Sequence, residues 1–262
     1  MNAIKRLMIA ALAAALCLCL AGAPALAEAV VWDDEVSLAD EAEIREKFTA
    51  NFASSQNERR ADRFEYSWKV ADGALHRTNN VDAARDTVNI AMLTYTQAVY
   101  DDFELSVEVR AGSKTAYWPV VGIRQQIPGK YYVTPGGGAG IFMQQNGKIT
   151  AWGPIVSGGA VMDNLIEQDI SDAANYYPGQ WHTLGIRVQG TTVEVSLDGR
   201  LELTLAVANT DYIKGYVSLQ SINNDCSFRN FRIRSLSGAA QTGNEPNRSP
   251  YAEDGTALEE LL

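Results

Sequence analysis

Histidine and cysteine are scarce, with two and three copies in 262 residues. His76 and His182 lie far apart in the sequence, and beyond residue 27 the only cysteine is Cys226, so a tetrahedral zinc site lacks ligands. A single remaining cysteine also excludes an intramolecular disulfide and reads as a small buried hydrophobe in a strand. Stability must therefore come from a core. Basic residues are few as well, 22 against 32 acidic for a formal charge of −10, which excludes a phosphate-rich nucleic acid as partner. Past the first twenty residues no apolar run approaches the roughly 20 residues that cross a bilayer, so no membrane span is expected. Neither a Gly-x-Ser-x-Gly elbow nor a Gly-Lys-Ser/Thr phosphate cradle is present.

What is there begins with a leader. Lys5 and Arg6 precede an apolar run from Leu7 to Leu20, and Ala25-Leu26-Ala27 supplies a small-x-small cleavage site. Residues 1–27 read as a signal peptide, and the localisation expected is secreted or extracytoplasmic, in a periplasm or at a cell surface. Losing Lys5 and Arg6 takes the formal charge from −10 to −12. Residues 28–60 read as an N-terminal segment in which Ser37, with Asp40 three residues on, caps a short acidic helix to about Phe48.

From about residue 61 to 236 the pattern becomes that of short strands. In His182-Thr183-Leu184-Gly185-Ile186-Arg187-Val188 and Thr192-Val193-Glu194-Val195-Ser196-Leu197 apolar and polar residues alternate, and Asp198-Gly199 then reads as a type I′ hairpin turn. Strands are also expected at Tyr66–Val70, Ala74–Arg77, Val88–Tyr95, Phe103–Arg110, Tyr117–Gln125 and Cys226–Arg234, with no helical stretch between them. The fold class is all-β, an antiparallel jelly-roll β-sandwich. Asp163–Pro178 reads as a long loop, and residues 237–262, rich in Gly, Asn, Pro and acid, as a disordered acidic tail.

Several segments in order resemble the 3-keto-disaccharide hydrolase family, often labelled family 16 glycoside hydrolase-like. They are Trp68-Lys69-Val70-Ala71-Asp72-Gly73, Tyr100-Asp101-Asp102-Phe103-Glu104-Leu105, Gly138-Ala139-Gly140-Ile141-Phe142-Met143, the Asp198-Gly199 hairpin, Gly215-Tyr216-Val217-Ser218-Leu219-Gln220 and Phe228-Arg229-Asn230-Phe231. The resemblance implies a concanavalin A-like lectin/glucanase sandwich, an extracytoplasmic setting and a carbohydrate ligand or substrate. Two positions depart from the pattern of the enzymes that this chain resembles. Gln144 stands where an arginine is usual, and Ser221–Asp225 lacks the usual histidine.

Sugar binding needs aromatic faces for a pyranose ring and amides or carboxylates for its hydroxyls. Tyr117, Trp118, Gln125, Tyr131, Gln144, Gln145 and Trp152 supply that chemistry and are the candidate ligand-binding residues. Alternation puts Trp118 and Arg124 on one strand face, and Lys148, Thr150 and Trp152 on another. Trp68 and Trp181 open their strands and are expected in the core. For catalysis the candidates are Arg124, Glu108, Glu167 and Asp169. Glu167-Gln168-Asp169-Ile170-Ser171-Asp172 is the nearest approach to the Glu-x-Asp-x-x-Glu pattern of retaining glucanases, whose two carboxylates stand about 5–5.5 Å apart. The one cofactor suggested is calcium, for which Asp163, Asp169 and Asp172 are candidate ligands. The sequence favours a carbohydrate-binding module, with a glycoside hydrolase or lyase acting on 3-keto-glycosides or glucan-type oligosaccharides as the alternative.

Overall fold

The computed structural model describes residues 30–54, 59–61, 64–77, 89–112, 119–144, 146–156, 165–176, 178–222 and 225–238. The leader, most of the acidic tail, Tyr117, Trp118, Gln145 and Asp163 lie outside them. The described residues from Trp32 onward form one compact unit. Its strands are β1 (Asp34–Val36), β2 (Phe48–Ser54), β3 (Arg59–Ala61), β4 (Trp68–Ala71), β5 (Ala74–Arg77), β6 (Asn89–Tyr100), β7 (Phe103–Ala111) and β8 (Val120–Gln125). They continue as β9 (Ala139–Met143), β10 (Lys148–Trp152), β11 (Leu165–Asp169), β12 (His182–Gln189), β13 (Thr192–Leu197), β14 (Arg200–Ala206), β15 (Gly215–Ile222) and β16 (Cys226–Ser235).

Two antiparallel sheets result. Sheet A runs β14-β13-β12-β7-β16-β5-β4 with β1 also on β16, and sheet B runs β11-β10-β9-β8-β15-β6-β2-β3. Strict alternation makes the layers. In β7 every second residue is buried, so Phe103, Leu105, Val107 and Val109 point inward while Glu104, Ser106 and Glu108 point out. Sheet B contributes Leu93, Val121, Ile123, Ile141, Ile149, Val217 and Leu219 to the same core. Phe231 of β16 packs against Phe48 of β2 and Tyr95 of β6, each with ring centroids 5.4 Å apart, tying one sheet to the other. Cys226 is buried, and burial pushes its thiol up to about 12, which keeps it protonated and unreactive. The expected Asp198-Gly199 turn forms, with φ of 50° and 79°, and Asp72-Gly73 makes a second Asp-Gly turn between β4 and β5, with φ of 49° and 74°.

The segment before residue 61 is no mere lead-in. β1 pairs with β16, and β2 pairs with β6, so these strands belong to the sheets. The helix α1 spans Glu41–Lys47, and its N-cap is Asp40, whose carboxylate accepts from the amides of Ala42 and Glu43. Ser37 instead gives its backbone N–H to Glu43 Oε2 at 3.0 Å. Asp40 is the better cap because its own side chain reaches the second and third amides of the turn. Of the two tryptophans expected in the core, Trp68 is there at 1% exposure. Trp181 is not: it lies half-buried with Arg110 and Arg229 over its ring at 4.7 and 4.2 Å, where guanidinium planes replace apolar packing.

Candidate functional site

Residues that alternate with the core face of sheet B point away from sheet A. One cross-strand row reads Thr94, Ser218, Gly122, Gly140 and Trp152. The next includes Met92, Gln220 and Val120 and ends in Phe142, Thr150 and Glu167, with Lys148 facing Asp169 beyond it. Lys148, Thr150 and Trp152 thus share the face that alternation assigned them.

The middle of this face is filled. A Cβ on Gly122 would stand 2.2 Å from Ser218 Oγ, and one on Gly140 would stand 2.6 Å from the Tyr132 ring. The segment after β8 folds back over the sheet and inserts Tyr132, fully buried, against Phe142 and Trp152 with centroids 5.9 and 6.0 Å apart. Tyr131 packs on Tyr132 at 4.6 Å and stays half-buried. Gln125 is a strut for this segment: it accepts from Thr94 Oγ1 at 3.1 Å and donates to the Lys130 carbonyl. It lines no groove.

The accessible part of the face is the β10–β11 side. There the Trp152 indole is half-buried, and its Nε1, itself buried, has no hydrogen-bond partner among the described residues. Gln144 Nε2 donates to Thr150 Oγ1 at 2.9 Å and to Glu167 Oε1, while Lys148 Nζ lies 3.4 Å from Glu167 Oε2. An indole face, an amide, an ammonium and two carboxylates therefore stand within two strands of one another. That is the donor and acceptor mixture a ring of hydroxyls requires.

Two readings of this region change. Glu167 and Asp169 lie on a strand, not in a loop. Polar edge strands carry no apolar alternation to announce them, because an exposed edge favours charge. Arg124 does not join the outer face of sheet B. Between Gly122 and Gln125, β8 carries one residue more than the β15 partners Ser218 and Tyr216, and Arg124 takes φ 51° in this bulge. Its side chain is turned inward, 1% exposed, and Nη2 donates to the carbonyls of Asp101 and Gly190 at 3.1 and 2.7 Å. Burial lowers its pKa, while the charges of Asp102 and Asp101 act the other way.

The four catalytic candidates are consequently spread over three places. Glu108 lies on the outer face of sheet A, where it accepts from Arg229 Nε at 2.6 Å and from Asn230. Arg124 is inside, and only Glu167 and Asp169 share a face. For calcium, no three His, Cys, Asp or Glu side chains gather among the described residues. Asp169 faces Lys148, whereas Asp172 turns toward β14, accepting from Asn175 Nδ2 at 2.6 Å and lying 4.0 Å from Arg200. Exhaustive chelation tests the calcium reading: a lowered melting temperature would point to an ion bound with Asp163, and an unchanged one would remove calcium.

The sequence matches the 3-keto-alpha-glucoside-1,2-lyase-like domain family over residues 37–234. The chain belongs to this family. Among curated proteins, none matches the sequence. Among solved structures, this lyase-like domain is similar to LamA from Z. galactanivorans in complex with laminaritriose and laminaritetraose, with TM-score 0.51, 14% identity, and 78% of this chain and 99% of that one covered. It is also similar to a GlcNAcα1-4Gal-releasing endo-β-galactosidase from Clostridium perfringens, with TM-score 0.51, 10% identity, and 80% of this chain and 64% of that one covered. The carbohydrate-binding module CBM66 from Bacillus subtilis matches at TM-score 0.47 and 10% identity over 64% of this chain and 91% of that one. At such identities the two matches at TM-score 0.51 establish the fold alone, an antiparallel jelly-roll sandwich of two sheets. The family match starts at residue 37, between β1 and β2, so β2 falls within it, in agreement with its place in sheet B.

Proposed function

We propose that the chain is an extracytoplasmic carbohydrate-binding sandwich whose ligand lies along the β10–β11 side of sheet B. The observation that carries the reading is the half-buried indole of Trp152 beside the Gln144–Glu167–Lys148 cluster. An indole face covers the apolar side of a pyranose, and the cluster supplies donors and acceptors at its edge. The membership of the family supports a glycan as ligand, and so do the two structures matched at TM-score 0.51, one holding glucan oligosaccharides and one releasing a disaccharide. The leader pattern at residues 1–27 supports export.

Catalysis is the second reading, favoured by one observation. Glu167 and Asp169 share a face, and a ketone at C3 of a sugar acidifies the C2 proton that a carboxylate can take as the bond from C1 to the leaving oxygen breaks. Against it, Glu167 is already engaged by Gln144 and Lys148, and neither Arg124 nor Glu108 comes near.

Retention on immobilised glucan oligosaccharides separates the readings. Trp152→Ala is expected to weaken retention about 30-fold, the roughly 2 kcal/mol typical of an aromatic hot spot. Product released from 3-keto-disaccharides in proportion to wild-type protein, and lost in Glu167→Gln, would establish the enzyme instead.

A further inference from the structure

The outer face of sheet A carries a recess that the site above does not use. A trough of about 400 Å³ runs across β7, β12 and β13, lined by Trp32, Ser106, Gly185, Arg187, Glu194 and Leu201 among others. Its volume lies in the roughly 300–1,000 Å³ range of small-molecule sites. Register explains the recess. Gly185 sits between Ser106 and Ser196 in one cross-strand row, so the floor is low, while the neighbouring row of Glu104, Arg187 and Glu194 forms a wall. At the rim, Trp32 is half-buried, with Arg234 5.8 Å from its ring centre, and Arg234 in turn holds Glu104 at 2.5 Å. Leu201, 56% exposed, closes another side.

The charges of the wall are the informative part. Arg187 stands directly opposite both Glu104 and Glu194, the geometry in which cross-strand ion pairs ordinarily close. It does not close on either: its Nη2 donates to Gln189 Oε1 at 3.1 Å, and Glu194 makes no ion pair among the described residues. A second hollow of about 230 Å³ shares this same Arg187 and Glu194. A guanidinium fork and a free carboxylate held side by side present donors and acceptors to adjacent hydroxyls, and Trp32 offers an aromatic surface beside them.

We propose that this trough is a second carbohydrate site, taking one or two units of a neutral glycan, with Trp32 as the stacking platform and Arg187 and Glu194 as the hydroxyl readers. The assignment rests on the reading that the ligand is a carbohydrate, but not on the sheet B site. The two sites face opposite ways, so one molecule would bridge two glycan strands and gain avidity on a dense polymer.

The test is calorimetric titration of the full chain with neutral glucose tetrasaccharides, comparing wild type with Trp32→Ala, Glu194→Gln and Trp152→Ala. Trp32 and Glu194 lie outside the sandwich core, whereas Trp152 packs on Tyr132, so Trp152→Phe is titrated beside Trp152→Ala, and cooperative melting curves establish that each variant is folded. Two equivalents are expected on the wild type, one on Trp32→Ala and one on Trp152→Ala, and none when both are replaced. Glu194→Gln is expected to weaken the sheet A site about tenfold, a difference of about 1.4 kcal/mol. A single equivalent abolished by Trp152→Ala and untouched by the other variants would overturn the second site and leave the first standing. A single equivalent abolished by Trp32→Ala but not by Trp152→Ala would support the trough and overturn the sheet B reading. Heat from no tetrasaccharide would overturn both.

Discussion

Replacing Arg124 with alanine is expected to destabilise the sandwich by about 3–5 kcal/mol while leaving glycan retention per folded molecule unchanged. The side chain is fully buried, and its Nη2 is the donor to two carbonyls at turns, Asp101 between β6 and β7 and Gly190 between β12 and β13. Alanine would strand both acceptors, at a cost of about 1–3 kcal/mol for each that stays buried. It would also remove the cation that faces Asp101 and Asp102. Arg124→Lys should recover only part of the loss, because a single ammonium group does not reproduce the planar fork. Urea denaturation reads the stability. A loss below about 1 kcal/mol together with lost binding or turnover would return Arg124 to the functional site.

The other large effect is expected at Phe231, where alanine should cost about 3–5 kcal/mol. Phe231 is 1% exposed and contacts Phe48 and Tyr95 from the opposite sheet. Tyr95 can yield little to fill the gap. Its hydroxyl donates to Asp34 Oδ2 at 2.6 Å, and Asp34 is paired with Lys47 at the same distance. Burial first, and the Asp34 contact after it, push the Tyr95 phenol well above its ordinary range, so it remains a donor at any pH at which the protein is handled. With the ring held from behind, the cavity would persist instead of collapsing. Phe231→Leu should recover much of the stability; an alanine variant within about 1 kcal/mol of wild type would show that the sheets are joined elsewhere.

These two residues mark the boundary of what the sequence makes legible. Alternation is plain in β7, β12 and β13, where outward positions interleave with buried apolar ones, and Phe231 opens the regular stretch of β16, Phe231 to Arg234, that follows a bulge between Arg229 and Arg232. The Asp198-Gly199 turn is equally readable because positive φ at two successive positions selects such a pair. Arg124 is not legible in this way. A bulge shifts the period by one residue, and nothing in Gly122-Ile123-Arg124-Gln125 announces it. β11 is hidden for the opposite reason, since an exposed edge strand has no core face to pattern. Trp181 misleads because a large aromatic can be sheltered by guanidinium groups as well as by a core. The sheet A trough is not legible for a further reason: Arg187 and Glu194 read as ordinary outward positions in sequence, and only the strand register places them opposite one another, with Arg187 turned to Gln189.

The candidate site shows the same division. Lys148, Thr150 and Trp152 share a face because β10 is regular, and that much follows from alternation alone. That Glu167 completes the group, and that Tyr132 fills the middle of the sheet, depend on pairings between distant segments. No local pattern encodes them.

The most direct measurement is a titration of isotopically labelled protein with a glucan tetrasaccharide, following the indole N–H resonances of the five tryptophans. The Trp152 signal, whose N–H has no partner among the described residues, is expected to shift with saturation, while Trp68 in the core does not move. A saturable shift of other indoles with Trp152 unmoved would contradict the placement of the ligand on sheet B.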